Sequence, residues 1–111
     1  MCHCLLPSRP DMRDEPSRCP GQYVDEALEW MWQCFPPQVD PTAEMDVALI
    51  GGATCHDSRI GPSNVEAARA WIFDKRLRTC RVDVGGHIVR RLSFSLGDGT
   101  LTITPGYALR T

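Results

Sequence analysis

The stretch VALIGGAT, residues 47–54, decides the fold because a short apolar run ends there on a pair of glycines. A continuous apolar run at 47–50 is typical of a strand that is covered on both faces. The glycines at 51–52 predict a tight turn, since glycine adopts positive φ at little steric cost. A second run, RTCRVDVGG, ends on the glycine pair at 85–86 in the same way. The two runs predict two strands of an α/β protein.

Between these strands a polar connector is expected at 55–62, and the segment that follows it from Ser63 predicts a helix. Ser63 and Glu66 form the pattern S-x-x-E, a capping box that places the helix start near Ser63. Lys75 and Arg76 suit the negative end of the helix dipole and predict the helix end. The apolar stripe that this helix would bury comprises Val65, Ala68 and Ile72.

The segments on either side complete the predicted order of elements. Residues 22–35 predict a first helix, which the two prolines at 36–37 end. Loops are expected on both sides of this helix, a mobile one at 8–21 and another at 36–45. After the second strand, alternating apolar residues predict a hairpin around the turn at 97–99. The residues that carry the alternation are Leu92, Phe94, Leu96, Leu101 and Ile103.

Length and composition describe one soluble α/β domain. A chain of 111 residues is close to the common domain size, so we expect residues 1–111 to form one layered α/β sandwich with two helices on a mixed sheet. The net charge of −2 argues against nucleic-acid binding. No apolar run approaches the roughly 20 residues of a membrane span, so membrane insertion is not expected. The six cysteines are interpreted as reduced thiols in the cytoplasm, because no export signal is visible.

Cysteine and histidine occur together twice, which raises the hypotheses of a metal site and of a Cys–His catalytic pair. Cys2, His3 and Cys4 are suitable zinc ligands by type, but adjacent residues of an extended chain point to opposite faces. Cys19 and the Cys55–His56 pair could complete a composite site. The metal hypothesis is the weaker one, and we expect neither a metal nor a cofactor.

The glycine pairs offer a second location for a site, since loops at strand ends carry the sites of many α/β proteins. The simpler interpretation is that both pairs are turns that need positive φ, and we prefer it. Gly-Gly-Ala-Thr at 51–54 lacks the spacing and the lysine of a phosphate-binding loop. A nucleotide site is therefore excluded.

Six segments occur in a characteristic order: HCLLP, GQYVDEAL, VALIGGAT, IGPSNVEAARAWI, VDVGGHIVRRLSF and GDGTLTI. Together they resemble the CheD family of bacterial chemoreceptor glutamine deamidases. The most specific are I-G-x-x-N-V-E-A, which opens a helix, and D-x-G-G, which leads into a hairpin with an internal R-x-x-x-F. The similarity runs from His3 to about Ile103.

The resemblance implies a layered α/β sandwich that converts selected glutamines of methyl-accepting chemoreceptors to glutamate. In this family a cysteine attacks the side-chain amide carbon, ammonia leaves, and water hydrolyses the thioester. A histidine activates the thiol and transfers the proton. Some members also bind CheC, a phosphatase of the chemotaxis response regulator. The expected partners are therefore methyl-accepting chemoreceptors and a CheC-type phosphatase.

His3 in HCLLP matches the position of the family's catalytic histidine. The family's nucleophilic cysteine lies upstream of that histidine in a G-S-C segment, and the 111 residues contain no such segment. We therefore expect a CheD-like domain that is N-terminally incomplete, without its first strands, and impaired or inactive. Cys55 is a weak candidate for a substitute nucleophile. His56 and His87 match no catalytic position, and Asp83 is interpreted as structural.

Two other functions stay open at this point. The chain could be a non-catalytic interaction module that binds a CheC-type phosphatase or chemoreceptors, which would need the glycine loops and the second helix but not His3. It could also be a small cysteine–histidine metal protein.

Overall fold

The structure is a computed structural model that describes residues 1, 4, 6–8 and 22–109. Within these residues the elements follow the order α1 (Val24–Gln33), α2 (Pro41–Glu44), β1 (Asp46–Gly51), α3 (Ile60–Asp74), β2 (Arg78–Val84), β3 (Ile88–Phe94) and β4 (Leu101–Ala108). The predicted α/β class is confirmed. None of the described helices is long and apolar enough to cross a membrane. The predicted loop at 8–21 lies, except for Ser8, outside the described residues, so its mobility stays a prediction.

The described strands form two small sheets where a single mixed sheet was expected. β1 and β2 pair in parallel, and α3 makes the crossover that a parallel pair requires. β3 and β4 form an antiparallel hairpin whose pairing ends at Phe94 and Leu101. The amide of Ser95 donates to the carbonyl of Thr100 at 2.9 Å and closes the turn. Leu96 therefore lies in the turn, 91% exposed, and its assignment to the strand was wrong.

The most deeply buried side chains lie on or beside α1 and α3. They are Tyr23, Val24, Ala27, Ala68, Ile72 and Leu77. Burial of Ala68 and Ile72 confirms part of the apolar stripe predicted for α3. Ala27 and Ala68 are small, so they let the two helices approach each other closely. None of the described side chains is less than 2% exposed, which shows that this helix pair makes a thin core.

A cluster of charged and aromatic side chains links α1 to α3 beside this core. The indole Nε1 of Trp71 donates to Glu29 Oε1 at 2.8 Å, and Lys75 Nζ lies 3.0 Å from the same oxygen. Lys75 Nζ also lies 5.1 Å from the ring centre of Trp32, a cation–π distance. The hydrogen bonds from Lys75 and then from Trp71 lower the pKa of Glu29. The folded protein therefore favours the ionised form of this carboxyl group.

Replacing Glu29 with glutamine should lower the free energy of unfolding at pH 7 by about 0.5 kcal/mol, since the pair is partly exposed. A lowered pKa adds stability above the ordinary value of 4.5, and this stability is lost as the pH falls through the folded-state pKa. Glu29→Gln should therefore weaken the fall in stability on acidification below about pH 5. Urea unfolding at several pH values, followed by circular dichroism, measures both effects.

The matched control is Glu66→Gln, which changes an exposed glutamate of α3. It should leave both the stability at pH 7 and its pH dependence close to those of the wild type. Equal pH dependence for the wild type and Glu29→Gln would contradict the argument.

Helix α3 begins four residues earlier than the capping-box pattern predicts. Its N-cap is Arg59, without a side-chain cap, and the amide of Ser63 donates to the Arg59 carbonyl at 2.9 Å. Ser63 is therefore inside the helix, and the predicted capping box was wrong. Ser58 Oγ accepts from the amide of Ile60 at 3.3 Å and so gives a partner to one of the amides at the start of the helix. Pro62 is tolerated because the first turn needs no amide donors.

The loop predicted at 36–45 contains the short helix α2, so that prediction was wrong for residues 41–44. Asp40 is its N-cap, and Asp40 Oδ1 accepts from the amide of Thr42 at 3.1 Å. Pro41 follows at the first helical position, where its fixed φ favours a helix. Aspartate followed by proline is a helix start, a signal that the abundance of proline nearby concealed.

Candidate active site

Two loops meet where the parallel strands end. We call residues 51–54, which begin with the last residue of β1, the first glycine loop, and residues 85–87, which follow β2, the second glycine loop. All four glycines have positive φ: 112° at Gly51, 66° at Gly52, 82° at Gly85 and 69° at Gly86. Glycine reaches these values at far lower cost than other residues, so the predicted turns are confirmed.

Hydrogen bonds join the two glycine loops to each other. The amide of Gly85 donates to the carbonyl of Gly51 at 2.9 Å, and the amide of Thr54 donates to the carbonyl of Gly86 at 2.8 Å. His87 Nδ1 lies 2.9 Å from the carbonyl oxygen of Thr54. Because a carbonyl only accepts, Nδ1 carries the proton and donates it. His87 thereby adds a third link between the loops.

Arg90 on β3 reaches both glycine loops, and its side chain is only 10% exposed. Its Nε donates to Asp83 Oδ1 at 3.1 Å. One terminal nitrogen, Nη2, donates to the carbonyl of Gly85 at 2.9 Å. The other, Nη1, lies 3.4 Å from the Gly51 carbonyl and 3.3 Å from that of Ile88. The ion pair between Arg90 and Asp83 supports the interpretation of Asp83 as a structural residue.

Sequence reasoning assigned no role to Arg90, although a signal was present. Side chains of a strand alternate between its two faces, so position 90 shares a face with Leu92 and Phe94. Both of these apolar residues line the cleft described below. A charged residue on the apolar face of a strand needs buried partners, and this rule could have identified Arg90.

The start of α3 packs directly against the first glycine loop. A Cβ atom on Gly61 would lie 2.7 Å from the carbonyl oxygen of Gly52 and closer still to that of Ala53. A Cβ atom on Gly52 would in turn overlap a methyl group of Val65. Both glycines are therefore required by close contact, and they place the first turns of α3 beside the loop.

An apolar cleft of about 660 Å³ opens next to the first glycine loop. Strand β1 forms one side, since each of its residues from Asp46 to Gly51 lines the cleft. The hairpin contributes Leu92, Phe94 and Leu101 on another side. Side chains of α1 and α3 add further lining, among them Leu28, Met31, Trp32, Val65, Ala68 and Trp71. A mostly apolar concave surface beside convergent polar backbone groups is typical of a binding site.

The described residues near the amino terminus lie beside α1 and the cleft. The amide of Leu6 donates to the carbonyl of Gln22 at 3.1 Å, and the amide of Val24 donates to the carbonyl of Leu6 at 2.9 Å. Met1 and Cys4 line the cleft. His3, the predicted catalytic residue, lies outside the described residues, so its role stays a prediction.

Within the described part of the chain, three exposed cysteines carry free thiols, namely Cys34, Cys55 and Cys80. Cys34 lines the cleft directly after α1, a position that sequence reasoning did not single out. Cys55 follows the first glycine loop and is absent from the cleft lining. The structure therefore offers no support for Cys55 as a nucleophile acting in the cleft.

The part of the chain that the structure describes contains no group of three or more His, Cys, Asp or Glu residues that could hold a metal ion. Cys2, His3 and Cys19, which the metal hypothesis requires, lie outside that part. The metal hypothesis therefore stays untested.

Comparison with known proteins decides the family. The sequence model described as "CheD chemotactic sensory transduction" matches residues 5–105. The chain belongs to the CheD family. The resemblance found in the six sequence segments is thereby confirmed.

Several CheD relatives align with nearly the whole chain. A "Probable chemoreceptor glutamine deamidase CheD" from Maridesulfovibrio salexigens is 34% identical over 93% of this chain and 67% of its own length. A protein with the same name from Methanococcus maripaludis strain C6 is 29% identical over 100% of this chain and 73% of its own length. "Probable chemoreceptor glutamine deamidase CheD 2" from Geobacter sulfurreducens is 32% identical over 93% of this chain and 64% of its own length.

The most specific CheD segments meet in one place in the fold. The segment I-G-x-x-N-V-E-A begins α3, where Gly61 packs against the first glycine loop. The segment D-x-G-G supplies Asp83 and the second glycine loop, and R-x-x-x-F supplies Arg90. These segments are distant in sequence, yet all three contact the edge of the sheet where the cleft opens.

Proposed function

We propose that this chain acts in bacterial chemotaxis as a chemoreceptor glutamine deamidase, converting selected glutamines of methyl-accepting chemoreceptors to glutamate. The observation that carries the proposal is the CheD match over residues 5–105, together with relatives that are each called a probable chemoreceptor glutamine deamidase. The apolar cleft beside the glycine loops supports it, since a receptor segment needs a concave surface to present its glutamine.

The proposed chemistry follows the Cys–His pattern that the CheD resemblance implies. A thiolate attacks the side-chain amide carbon of glutamine, forming a C–S bond. His3 first takes the thiol proton and then gives it to the leaving nitrogen, so that the C–N bond breaks and ammonia departs. Water, activated by the same imidazole, attacks the thioester and releases glutamate and the free thiol. The position of Cys4, the residue after His3 in the sequence, in the lining of the cleft supports this assignment.

The 111 residues contain no G-S-C segment, so they hold the proposed base without the family's thiol. We propose that these residues alone are impaired or inactive as a deamidase. Activity should appear when a segment that carries the nucleophilic cysteine is joined to them. The proposed location is the cytoplasm, and the exposed thiols at Cys34, Cys55 and Cys80 favour a reducing compartment.

Ammonia release from a chemoreceptor fragment that contains the target glutamine tests this function. The 111-residue chain alone should release no ammonia above background. A chimera that adds the amino-terminal segment of a CheD relative, including its G-S-C motif, should release one ammonia per glutamine converted. The matched control is the same chimera with alanine in place of the G-S-C cysteine.

Two results would contradict parts of the proposal. Clear turnover by the 111-residue chain alone would show that it is not impaired. A chimera that folds cooperatively but releases no ammonia from any receptor fragment would remove the deamidase function.

The second candidate function is a non-catalytic module that binds a CheC-type phosphatase or chemoreceptors. Exposed apolar side chains outside the cleft favour it: Phe73 is 85% exposed, and Tyr107 is 69% exposed. A pull-down with purified CheC-type phosphatase tests this candidate. Binding that survives His3→Ala would support the module, and an absence of binding would remove the phosphatase as a partner.

A further inference from the structure

We propose that Arg90 is a positioning residue that holds the two glycine loops and sets the width of the cleft that receives the receptor segment. This inference rests on the deamidase function proposed above. It concerns a side chain to which neither the family match nor the names of the relatives assign a role. Arg90 does not need to touch the reacting amide, because it acts through the loops and strands that it contacts.

The guanidinium group of Arg90 joins several groups from different parts of the chain. Arg90 is nine-tenths buried and donates to the carboxylate of Asp83 and to the carbonyls of Gly51 and Gly85. Gly51 belongs to the end of β1 and Gly85 to the loop after β2. A planar arginine fork can serve several acceptors in fixed directions, which a lysine ammonium group does less well.

The loops that Arg90 contacts are rich in glycine. Four glycines provide most of their backbone, and glycine loses more conformational freedom on folding than any other residue. Loops of this composition need external contacts to keep one conformation. Three hydrogen bonds join the loops to each other, but the bonds from Arg90 also fix them to β3.

Arg90 also connects the two sheets. Arg90 belongs to the β3–β4 hairpin, whereas Asp83 and Gly51 belong to the β1–β2 sheet. The cleft has one side on each sheet. Another link, from Arg81 Nη1 to the carbonyl of Leu101 at 2.9 Å, is exposed, so water competes for it. Arg90 is the buried link of the two, and its loss should change the spacing between the sheets.

The experiment compares Arg90→Gln and Arg90→Lys with the control Arg91→Gln in the 111-residue chain. Arg91 is the next residue on β3, is exposed, and points to the other face of the strand. Amide hydrogen exchange reports on the order of residues 51–54 and 85–87. Affinity for a tryptophan-free receptor fragment is followed by the fluorescence of the tryptophans that line the cleft, which are Trp30, Trp32 and Trp71.

Arg90→Gln should speed exchange in both glycine loops by about tenfold or more and weaken binding of the receptor fragment by about tenfold, which corresponds to losing one charge-assisted hydrogen bond. Arg90→Lys should recover part of both effects, since it keeps the charge but not the fork. Arg91→Gln should match the wild type in both measurements. If Arg90→Gln does not fold, Arg90→Lys and Asp83→Asn give the same comparison with smaller changes.

Each outcome supports or overturns the inference. Faster exchange confined to the two loops, with weaker binding and partial rescue by lysine, supports it. Unchanged loop exchange in Arg90→Gln overturns it, and so does faster exchange with unchanged affinity. A wild-type chain that binds no receptor fragment contradicts the proposed function, and with it the claim that Arg90 shapes a receptor-binding cleft. Loop exchange would then still show whether Arg90 holds the loops.

Discussion

Replacing His3 with alanine in the active chimera should lower ammonia release by about a thousandfold or more. Without the imidazole the thiol has no neighbouring base, and only a small fraction of it is ionised near pH 7. The leaving nitrogen also loses its proton donor, so both halves of the reaction slow. Initial rates of ammonia release at saturating receptor fragment measure the effect, because they report on turnover rather than binding.

Two control variants separate this prediction from a general loss of function. His56→Ala changes an exposed histidine and should leave turnover within about twofold of the chimera. Cys55→Ala should also leave turnover unchanged, since Cys55 does not line the cleft. Full turnover in His3→Ala would contradict the assignment of His3 as the base. Loss of turnover in Cys55→Ala would instead identify a nucleophile in a new position.

Replacing Gly61 with alanine should lower the free energy of unfolding by about 3 kcal/mol, near the upper end for overpacking a tight contact. The added Cβ would meet the carbonyl oxygens of Gly52 and Ala53, which are backbone atoms and cannot rotate away. The start of α3 must then move away from the first glycine loop. Urea unfolding followed by circular dichroism gives the change in free energy.

The matched control for this prediction is Gly97→Ala in the hairpin turn. The nearest atom to its added Cβ would be Ser95 Oγ at 3.9 Å, an ordinary contact. This variant should change the free energy of unfolding by about 0.5 kcal/mol or less. Equal effects of the two substitutions would show that the contact between α3 and the loop does not limit stability.

Most of the secondary structure could be predicted from local pattern. The apolar run before Gly51 and the alternation through Leu92 and Phe94 are properties of a few neighbouring residues, and strands formed where they predicted them. The wrong predictions also came from patterns of a few neighbouring residues. Ser63 carried a capping-box pattern inside a helix that had already begun, and Leu96 continued an alternation into a turn. Pattern identifies an element more reliably than its ends, because neighbouring groups compete to cap it.

The candidate site could be predicted only in part. The glycine loops were recognised as strand-end turns, since positive φ is a property of the residue itself. The role of Arg90 could not be predicted from the residue itself, because its partners include Gly51, which is 39 positions away in the sequence. Likewise, Glu29 and Trp71 are 42 positions apart in the sequence, so local pattern could not predict the hydrogen bond that joins their helices.

The sequence by itself determined the α/β class, the main helices and strands, and the resemblance to CheD, because these depend on residue type and order along the chain. Only the tertiary structure decided that the CheD segments share one edge of the β1–β2 sheet, and that a cleft opens between that sheet and the hairpin. It also decided that one buried guanidinium connects the two. The physical reason is that hydrogen bonds and close packing act over a few ångströms, so the contacts that build the site appear only when the fold brings distant residues together.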